Sequence, residues 1–217
     1  MVGKNLSVGA AGILLLSFLV GSVPTSNILA HVWRGVDLRE VGGGTVGGTS
    51  LYRVAGFVPL AVGGILDIGK GALGPLLAGT DRPVLAAFAG GAAVIGHNWS
   101  PFLRGAGGRG IAPAIGALLV NAWPGAVLVL GGPMVGRWFG QTGLGGFVAE
   151  VSLTPVLAVT DGRDGAIAGA CIAVPMIVKR IVGNSRPAPV DGWSPGRVYV
   201  HRLLFDSDPV PGTRGAP

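Results

Sequence analysis

The sequence predicts an all-α membrane protein with about seven transmembrane helices, the N-terminus outside, the C-terminus inside, and glycine-rich loops on the cytoplasmic side. Two observations predict this class. Only 12% of the 217 residues are charged and 49% are hydrophobic, with a mean hydropathy of +0.62, whereas soluble domains average about 25% charged residues. Apolar segments also recur along the chain, several of them long enough to cross a bilayer. The 41 glycines fit close helix packing in a membrane.

The first apolar segment covers residues 8–30 and carries polar side chains in its second half, among them Ser22 and Asn27. Unpaired polar groups are costly in lipid, so this half is expected to face the interior of the bundle. A cleaved signal peptide is the alternative, but Lys4 is the single charge before the apolar run and no clear cleavage site follows.

The second apolar segment, residues 54–78, is interrupted by two charged residues, Asp67 and Lys70. Residues three apart lie on the same face of a helix, so the two side chains can pair. Two interpretations stay open. The pair either neutralises itself within a broken helix, or it forms a polar end that lines a substrate cavity.

Five further apolar segments follow at residues 83–99, 111–120, 125–135, 144–159 and 166–182. Residues 111–136 form either two short spans or one long one. Glu150, inside the sixth segment, is expected to partner a basic residue, because an isolated charge within a span is expensive.

Residues 1–183 are predicted to form the transmembrane part and residues 184–217 a disordered, proline-rich cytoplasmic tail. Residues 198–205 are the one place where the tail is expected to form a short amphipathic element. Most arginines and lysines fall on one side of the membrane when the N-terminus is outside, and the positive-inside rule makes that side cytoplasmic.

Two glycine-rich loops are the candidate functional elements. The first glycine loop, residues 42–48, has five glycines in seven residues and lies between Arg39 and Arg53. The second glycine loop, residues 104–110, contains Arg109. Glycine leaves backbone amides uncovered, so such loops can wrap an anion. Arg53 and Arg109 can add bidentate hydrogen bonds to phosphate oxygens. An alternative role for each arginine is an ordinary contact with lipid headgroups.

Several function classes are excluded by the same residues. Both loops match the pattern G-x-G-x-x-G, but that fingerprint needs a preceding strand, and here apolar helices precede the loops. The net charge of +6 is spread through loops rather than gathered in a patch, which argues against nucleic acid as a partner. One cysteine, Cys171, supports neither a disulfide framework nor a metal cluster. No cofactor is expected.

The motifs resemble those of the bacterial membrane-embedded acyl-phosphate:glycerol-3-phosphate acyltransferases (the PlsY type), over residues 21–183. Gly21-Ser22-Val23-Pro24 is similar to the opening motif of that family. Arg39-x-Val41-Gly42-x-Gly44-x-x-Gly47-x-Thr49-x-x-x-Arg53 follows its first cytoplasmic motif, and Asp67-x-x-Lys70-Gly71 its D-x-x-K-G. Gly96-His97, Pro101-Phe102-Leu103 and Gly107-Gly108-Arg109-Gly110 follow its second loop motif, with one displaced proline and arginine in place of lysine.

The resemblance implies a multi-pass protein of the bacterial plasma membrane that transfers an acyl chain from acyl phosphate to glycerol 3-phosphate, making lysophosphatidic acid for phospholipid synthesis without a metal. Membrane lipid and these two substrates are the implied partners. Arg53 and Arg109 are the candidate catalytic residues. Phosphate contacts are expected from Gly42, Gly43, Gly44, Thr45, Gly47, Thr49, Ser50, Lys70, His97, Gly107, Gly108 and Gly110. A polar cavity is expected around Ser22, Asn27 and Asp67.

The chain also departs from the family pattern. Gly43 stands where the first motif has a functional serine, Thr45 and Ser50 stand where it has asparagines, and residues 174–179 lack the histidine and asparagine of the last helix. Two further hypotheses follow: a catalytically impaired relative that binds a phosphorylated lipid precursor, and a small membrane transporter.

Overall fold

The computed structural model describes residues 2–185, 190 and 193–209, with side chains from residue 9 onward. The described residues form ten α-helices and two short 3-10 helices. The α-helices are α1 Val2–Ser22, α2 Thr25–Arg34, α3 Gly48–Ala55, α4 Phe57–Ala78, α5 Pro83–Asn98, α6 Ile111–Asn121, α7 Trp123–Trp138, α8 Thr142–Thr160, α9 Gly162–Val182 and α10 Pro195–Phe205. The 3-10 helices are Leu38–Glu40 and Pro101–Leu103.

All seven predicted apolar segments are helical. Four of the helices are long and apolar enough to cross a membrane: Gly9–Arg34, Phe57–Ala78, Thr142–Thr160 and Gly162–Val182. The first of these is broken into α1 and α2 at Pro24, whose ring removes a backbone donor from the helix. Helices α5, α6 and α7 are shorter, and residues 111–136 form two helices that part at Ala122.

Helix α5 lies at the centre of the bundle and packs against α1, α4, α6 and α9, while α8 packs between α7 and α9. Glycines let these helices approach closely. A methyl group added to Gly71 would lie 1.9 Å from the carbonyl oxygen of Pro113, and one added to Gly116 would lie 1.9 Å from that of Ile68. Helices α4 and α6 therefore touch backbone to backbone.

Two buried apolar clusters hold the molecule together. The larger cluster has residues from each of the helices α5, α6, α7, α8 and α9, and includes Leu118, Leu153 and Ile172. The smaller lies beneath the loops and contains Leu38, Val46 and Leu51 among others. Val46 belongs to the first glycine loop and is only 3% exposed, so burial of this side chain anchors the loop on the bundle.

Large apolar side chains cover much of the outer surface, including Ile65, Trp138 and Val159. An exposed apolar surface of this extent fits contact with lipid. Helix α4 runs without a break through Asp67 and Lys70, so the predicted interruption is absent and the charged pair sits inside a regular helix. The predicted partner of Glu150 is Arg180, whose Nε lies 2.7 Å from Oε2 of that carboxylate in the buried interior.

The structure differs from the predicted disordered tail. Helix α10 covers Pro195–Phe205 and packs on α8 and α9, and it contains the predicted amphipathic element at 198–205. Ser194 caps this helix by accepting from the Arg197 amide. Residues 186–189, 191–192 and 210–217 of the tail lie outside the described residues, and the division of the chain at residue 183 stays a prediction.

Candidate functional site

The two glycine loops, far apart in sequence, meet in the folded chain. The Val46 amide donates to the Gly107 carbonyl at 3.1 Å. A methyl group on Gly47 would lie 3.8 Å from the Gly108 α carbon. The Gly108 amide in turn donates to the His97 carbonyl at 3.2 Å, which ties the second loop to the end of α5. The two loops therefore form one composite surface.

The first loop turns on two glycines with positive φ, Gly42 at 57° and Gly44 at 68°, a conformation that side chains disfavour. The Gly44 amide closes the turn on the Val41 carbonyl at 3.1 Å. The amides of Gly43, Thr45 and Gly47 donate no hydrogen bond to the described residues. Helix α3 begins directly afterwards, with its own uncovered first-turn amides. This arrangement can bind an anion through backbone N–H groups.

Asn184 joins the two loops from the far end of α9. Its Nδ2 donates to the Gly44 carbonyl at 3.0 Å and to the Gly107 carbonyl at 2.9 Å, and its Oδ1 accepts from the Gly107 amide at 3.1 Å. The asparagine expected in the last helix is absent there, but this amide group lies just beyond it.

A narrow cleft opens where the loops meet the break between α1 and α2. Its walls come from both sides of Pro24, from the first glycine loop, from the end of α5 and from the second glycine loop; they include Ser22, Val23, Thr25, Val46, His97 and Gly107. The cleft lies beside the free amides of the first loop, and we take it as the centre of the candidate site.

Lys70 and Asp67 hold two of the residues that line this cleft, Val23 and Thr25. The Lys70 ammonium lies 2.6 Å from Oδ1 of Asp67 and donates to the Val23 carbonyl at 2.6 Å and to the Thr25 hydroxyl at 2.7 Å. The Thr25 hydroxyl donates to Asp67 at 2.6 Å. A lysine ammonium has only three donors, so all of them are used. The two charges neutralise each other, as the first interpretation expects, but they do so within an unbroken helix. That the pair lines a substrate cavity stays a prediction.

His97 lies between this pair and the second loop. Its Nδ1 is 3.9 Å from Oδ2 of Asp67, and a methyl group on Gly108 would lie 2.3 Å from its Nε2. The absence of a side chain at Gly108 is thus what admits the imidazole. The ring borders the cleft, and its predicted contact with phosphate stays a prediction.

The two candidate catalytic arginines differ in their surroundings. Arg53 is exposed at the end of α3 and makes none of the hydrogen bonds and ion pairs found between the described side chains. Arg109 is mostly buried; its Nη1 donates to the Lys179 carbonyl at 2.7 Å, and its Nε lies 2.7 Å from Oδ1 of Asp206. No hydrogen bond joins Arg53 to Arg109 in the described part of the chain.

The remaining predicted residues have mostly structural contacts. Ser22 is buried, and its carbonyl accepts from the Ser100 hydroxyl at 2.6 Å. Asn27 accepts from the Leu38 amide at 2.8 Å, which fixes the chain leading into the first loop. Gly110 has φ of 79° and begins α6. Thr45, Thr49 and Ser50 lie in the loop and the first turn of α3, where their hydroxyls are half-buried or exposed.

Sequence reasoning missed three groups near the loops. Asn184, Lys179 and Asp206 follow no motif. The Lys179 side chain is fully buried, its ammonium has no hydrogen-bond partner among the described residues, and it lies 5.2 Å from the centroid of the Trp99 ring. The available signal for this residue was its position next to Arg180 inside the last apolar segment, because a charge in a span needs a role.

Electrostatics outside the spans also single out the tail. Burial raises the pKa of the Asp206 carboxyl above its usual range, while the nearby guanidinium of Arg109 opposes that rise. The hydrogen bond from Arg202 lowers the pKa of Asp208. The hydrogen bond from Arg39 lowers the pKa of Asp37 to about 2. Within the described residues, no group of three or more metal-ligating side chains comes together.

Fold and site together define a helical bundle with membrane-length apolar helices and a pair of joined glycine loops whose uncovered amides can bind an anion. The family model described as glycerol-3-phosphate acyltransferase matches residues 11–186. The glycerol-3-phosphate acyltransferase of Synechococcus sp. (strain CC9902) is 33% identical over 207 residues, which cover 94% of this chain and 96% of that protein. That of Jannaschia sp. (strain CCS1) is 35% identical, over 78% of this chain and 84% of that protein.

The crystal structure of PlsY (YgiH), an integral membrane glycerol 3-phosphate acyltransferase, in its glycerol 3-phosphate form superimposes with a TM-score of 0.71 at 26% identity. The match covers 79% of this chain and 88% of that one. The lysophosphatidic acid form of PlsY gives a TM-score of 0.64 at 23% identity and supports the fold. The chain belongs to the glycerol-3-phosphate acyltransferase family.

Proposed function

We propose that this chain transfers an acyl chain from acyl phosphate to glycerol 3-phosphate, giving lysophosphatidic acid and phosphate in phospholipid synthesis. The observation that carries the proposal is the junction of the two glycine loops, where Val46 bonds Gly107 and Asn184 holds both loops beside a cleft. Uncovered amides at that junction suit a phosphate group, and membership of the family supplies the reaction.

The reaction needs no nucleophilic side chain. The 1-hydroxyl oxygen of glycerol 3-phosphate attacks the carbonyl carbon of acyl phosphate, and a new C–O ester bond forms. The bond from that carbon to the phosphate oxygen breaks, and the leaving phosphate takes the hydroxyl proton. The protein contributes positioning and stabilisation of the developing charge. In this mechanism Arg53 and Arg109 hold the two phosphates, and the first glycine loop faces the oxyanion.

The membrane arrangement belongs to the same proposal. The chain crosses a bacterial plasma membrane seven times, through α1–α2 and α4–α9, with the N-terminus outside and both loops in the cytoplasm. Seven apolar helical segments in the predicted order and the excess of basic residues on one side support this. Replacing Cys171 and placing single cysteines at Gly43 or Asp81 tests it: an impermeant maleimide should label position 81 and not 43 in intact cells. The reverse pattern would refute the orientation.

The activity is tested with purified protein, palmitoyl phosphate and glycerol 3-phosphate, with lysophosphatidic acid measured as product. We expect product with palmitoyl phosphate and none with palmitoyl-CoA. Product from palmitoyl-CoA alone would overturn the donor assignment. Absence of product with either donor would overturn the proposed activity.

The Arg53→Ala variant tests the phosphate assignment. Because a charge-assisted hydrogen bond contributes about 1.5–3 kcal/mol, we expect kcat/KM for glycerol 3-phosphate or for palmitoyl phosphate to fall by roughly ten-fold or more. The matched control is Arg34→Ala, since Arg34 is also an exposed arginine at a helix end. Equal activity of the two variants would remove Arg53 from the site.

A second candidate function is retained because of Gly43, which has no side chain where the family motif has serine. In that case the chain binds a phosphorylated lipid precursor without turning it over. Isothermal titration with glycerol 3-phosphate separates the two: binding without product formation would favour the second candidate.

A further inference from the structure

The chain after α9 reaches the proposed site at two places. Asn184 holds both glycine loops, and Asp206, the residue that ends α10, lies against Arg109. The match to the family model ends at residue 186, so α10 lies beyond it. No motif assigned a role to this helix, and its contact with a candidate catalytic arginine calls for a physical account.

Asp206 and the Lys179 carbonyl contact the Arg109 guanidinium at two different nitrogens, the first through an ion pair and the second through a hydrogen bond. Nη1 donates to the carbonyl at 2.7 Å, and Nε lies 2.7 Å from the carboxylate. A guanidinium is a rigid planar fork, so contacts at two of its nitrogens set the direction of the remaining N–H groups. Nη2 makes no hydrogen bond to the described residues and remains available to a phosphate oxygen.

Helix α10 packs closely against the helices of the bundle. A methyl group on Gly143 of α8 would lie 2.2 Å from the Phe205 carbonyl oxygen. Arg202 is buried, donates to the carbonyls of Val182 and Ser185, and pairs with Asp208. A carboxylate held on such a support stays beside Arg109, which suits a permanent orienting contact better than a plug that must leave.

The side chains around Asp206 keep a net positive charge, which favours binding of an anion. The cations here are Arg109, Lys179, Arg180 and Arg202, and the carboxylates are Glu150, Asp206 and Asp208. Formally four cations meet three carboxylates. Asp206 therefore does not cancel the positive charge that a phosphate group needs.

We propose that Asp206 is a positioning residue, which holds Arg109 in the orientation that binds a substrate phosphate, so that α10 completes the active site. This inference rests on the proposed function, in which Arg109 is a phosphate ligand. It extends the site to a helix that lies outside the family motifs.

A double-mutant cycle tests the proposal on the full chain. Asp206→Asn keeps the shape of the side chain and removes its charge. We expect it to lower kcat/KM for lysophosphatidic acid formation by about ten-fold, within the range for residues in one network. In an Arg109→Ala background the same change should alter kcat/KM by less than about two-fold, because Asp206 acts only through Arg109. Asp206→Glu should recover part of the lost activity.

The controls separate this role from a structural one. Asp164→Asn removes one exposed carboxylate elsewhere on α9 and should leave kcat/KM unchanged. Size-exclusion profiles and melting temperatures identify any variant that fails to fold. An equal loss from Asp206→Asn in both backgrounds would mean a structural effect. If Asp206→Asn is as active as the unmodified protein or more active, Asp206 blocks the site or plays no part in it, and the proposal is overturned. Full activity of Arg109→Ala would overturn the proposal as well.

The outcome is distinguishable from failure of the proposed function. If the unmodified protein makes no lysophosphatidic acid, the affinity of the same four proteins for glycerol 3-phosphate is measured by calorimetry instead. If Asp206→Asn weakens this binding only when Arg109 is present, Asp206 is still a positioning residue, although the proposed acyl transfer has failed. No binding by the unmodified protein would overturn both.

Discussion

Gly43 lies in the first glycine loop with open space around it. A methyl group at this position would meet no atom within 4 Å, and its φ is not positive. Gly44, one residue later, has φ of 68° and would place a methyl group 3.2 Å from the Arg39 carbonyl oxygen. The two neighbours therefore differ in whether the backbone accepts a side chain.

We expect Gly43→Ser to fold normally and to raise kcat, because it restores a hydroxyl where the family motif has one. If that hydroxyl serves the oxyanion, the gain can reach about 10²-fold. Gly44→Ser is the matched control and should lose activity, since αL strain costs about 1–2 kcal/mol. Steady-state kinetics with palmitoyl phosphate measure both. An unchanged kcat for Gly43→Ser would mean that the loop does not face the reacting carbonyl.

Single residues of the site were predictable where a local pattern carried them. The spacing of Asp67 and Lys70 indicated their ion pair, and the apolar surroundings of Glu150 indicated a basic partner. Asp206 was not predictable. Its contact with Arg109 depends on where α10 docks, and no residue pattern around position 206 encodes a partner about a hundred positions earlier.

At the scale of elements, Asn184 makes the two glycine loops into one unit. Its amide replaces three hydrogen bonds that the loops would otherwise make to water. Hydrogen bonds of this kind contribute about 1 kcal/mol each, and they act on loops that have few apolar anchors besides Val46.

We expect Asn184→Ala to raise the KM for glycerol 3-phosphate by about ten-fold, because part of the binding free energy must then be used to order the loops. Amide hydrogen exchange should quicken at residues 42–48 and 104–110 while the helices stay protected. Ser185→Ala is the control, since only the backbone carbonyl of Ser185 is used, by Arg202. Unchanged exchange in the loops of Asn184→Ala would show that they hold each other without the amide.

The elements themselves were largely predictable, with two differences that have physical causes. Helix α4 continues through Asp67 and Lys70 because the charges are satisfied by each other and by Thr25. The tail forms α10 although proline-rich segments surround it, because Ser194 caps the helix and Arg202 buries its charge against the end of α9. Tertiary docking decided both cases.

For the whole molecule, the glycine contacts between α4 and α6 set how closely the bundle can pack. Gly64 on α4 has no atom within 4 Å of an added methyl group, whereas Gly116 on α6 has the Ile68 carbonyl oxygen at 1.9 Å. The same substitution therefore probes an open surface at one site and a backbone contact at the other.

We expect Gly116→Ala to destabilise the fold by about 1–3 kcal/mol or more, the usual cost of overpacking, and to lower the melting temperature in detergent. Gly64→Ala should keep or slightly raise it, because alanine favours a helix over glycine by about 1 kcal/mol. Similar melting temperatures for the two variants would mean that α4 and α6 do not touch through their backbones.

The class of the molecule followed from composition alone, because few charges and long apolar segments leave little choice but a membrane. The order of the seven helical segments followed from hydropathy. The bounds of α5 and α6 also followed to within one residue, whereas α7 begins two residues before and ends three residues after the predicted 125–135.

The bridge made by Asn184 also has a consequence for how the molecule is made. A ribosome releases the chain from the N-terminus, so both glycine loops emerge well before residue 184. Until α9 has entered the membrane and this amide arrives, the loops lack the hydrogen bonds to Asn184 and keep only the one between Val46 and Gly107 to join them. Assembly of the site is therefore among the last events of biogenesis, and a partly inserted chain carries both loops but no finished place for an anion.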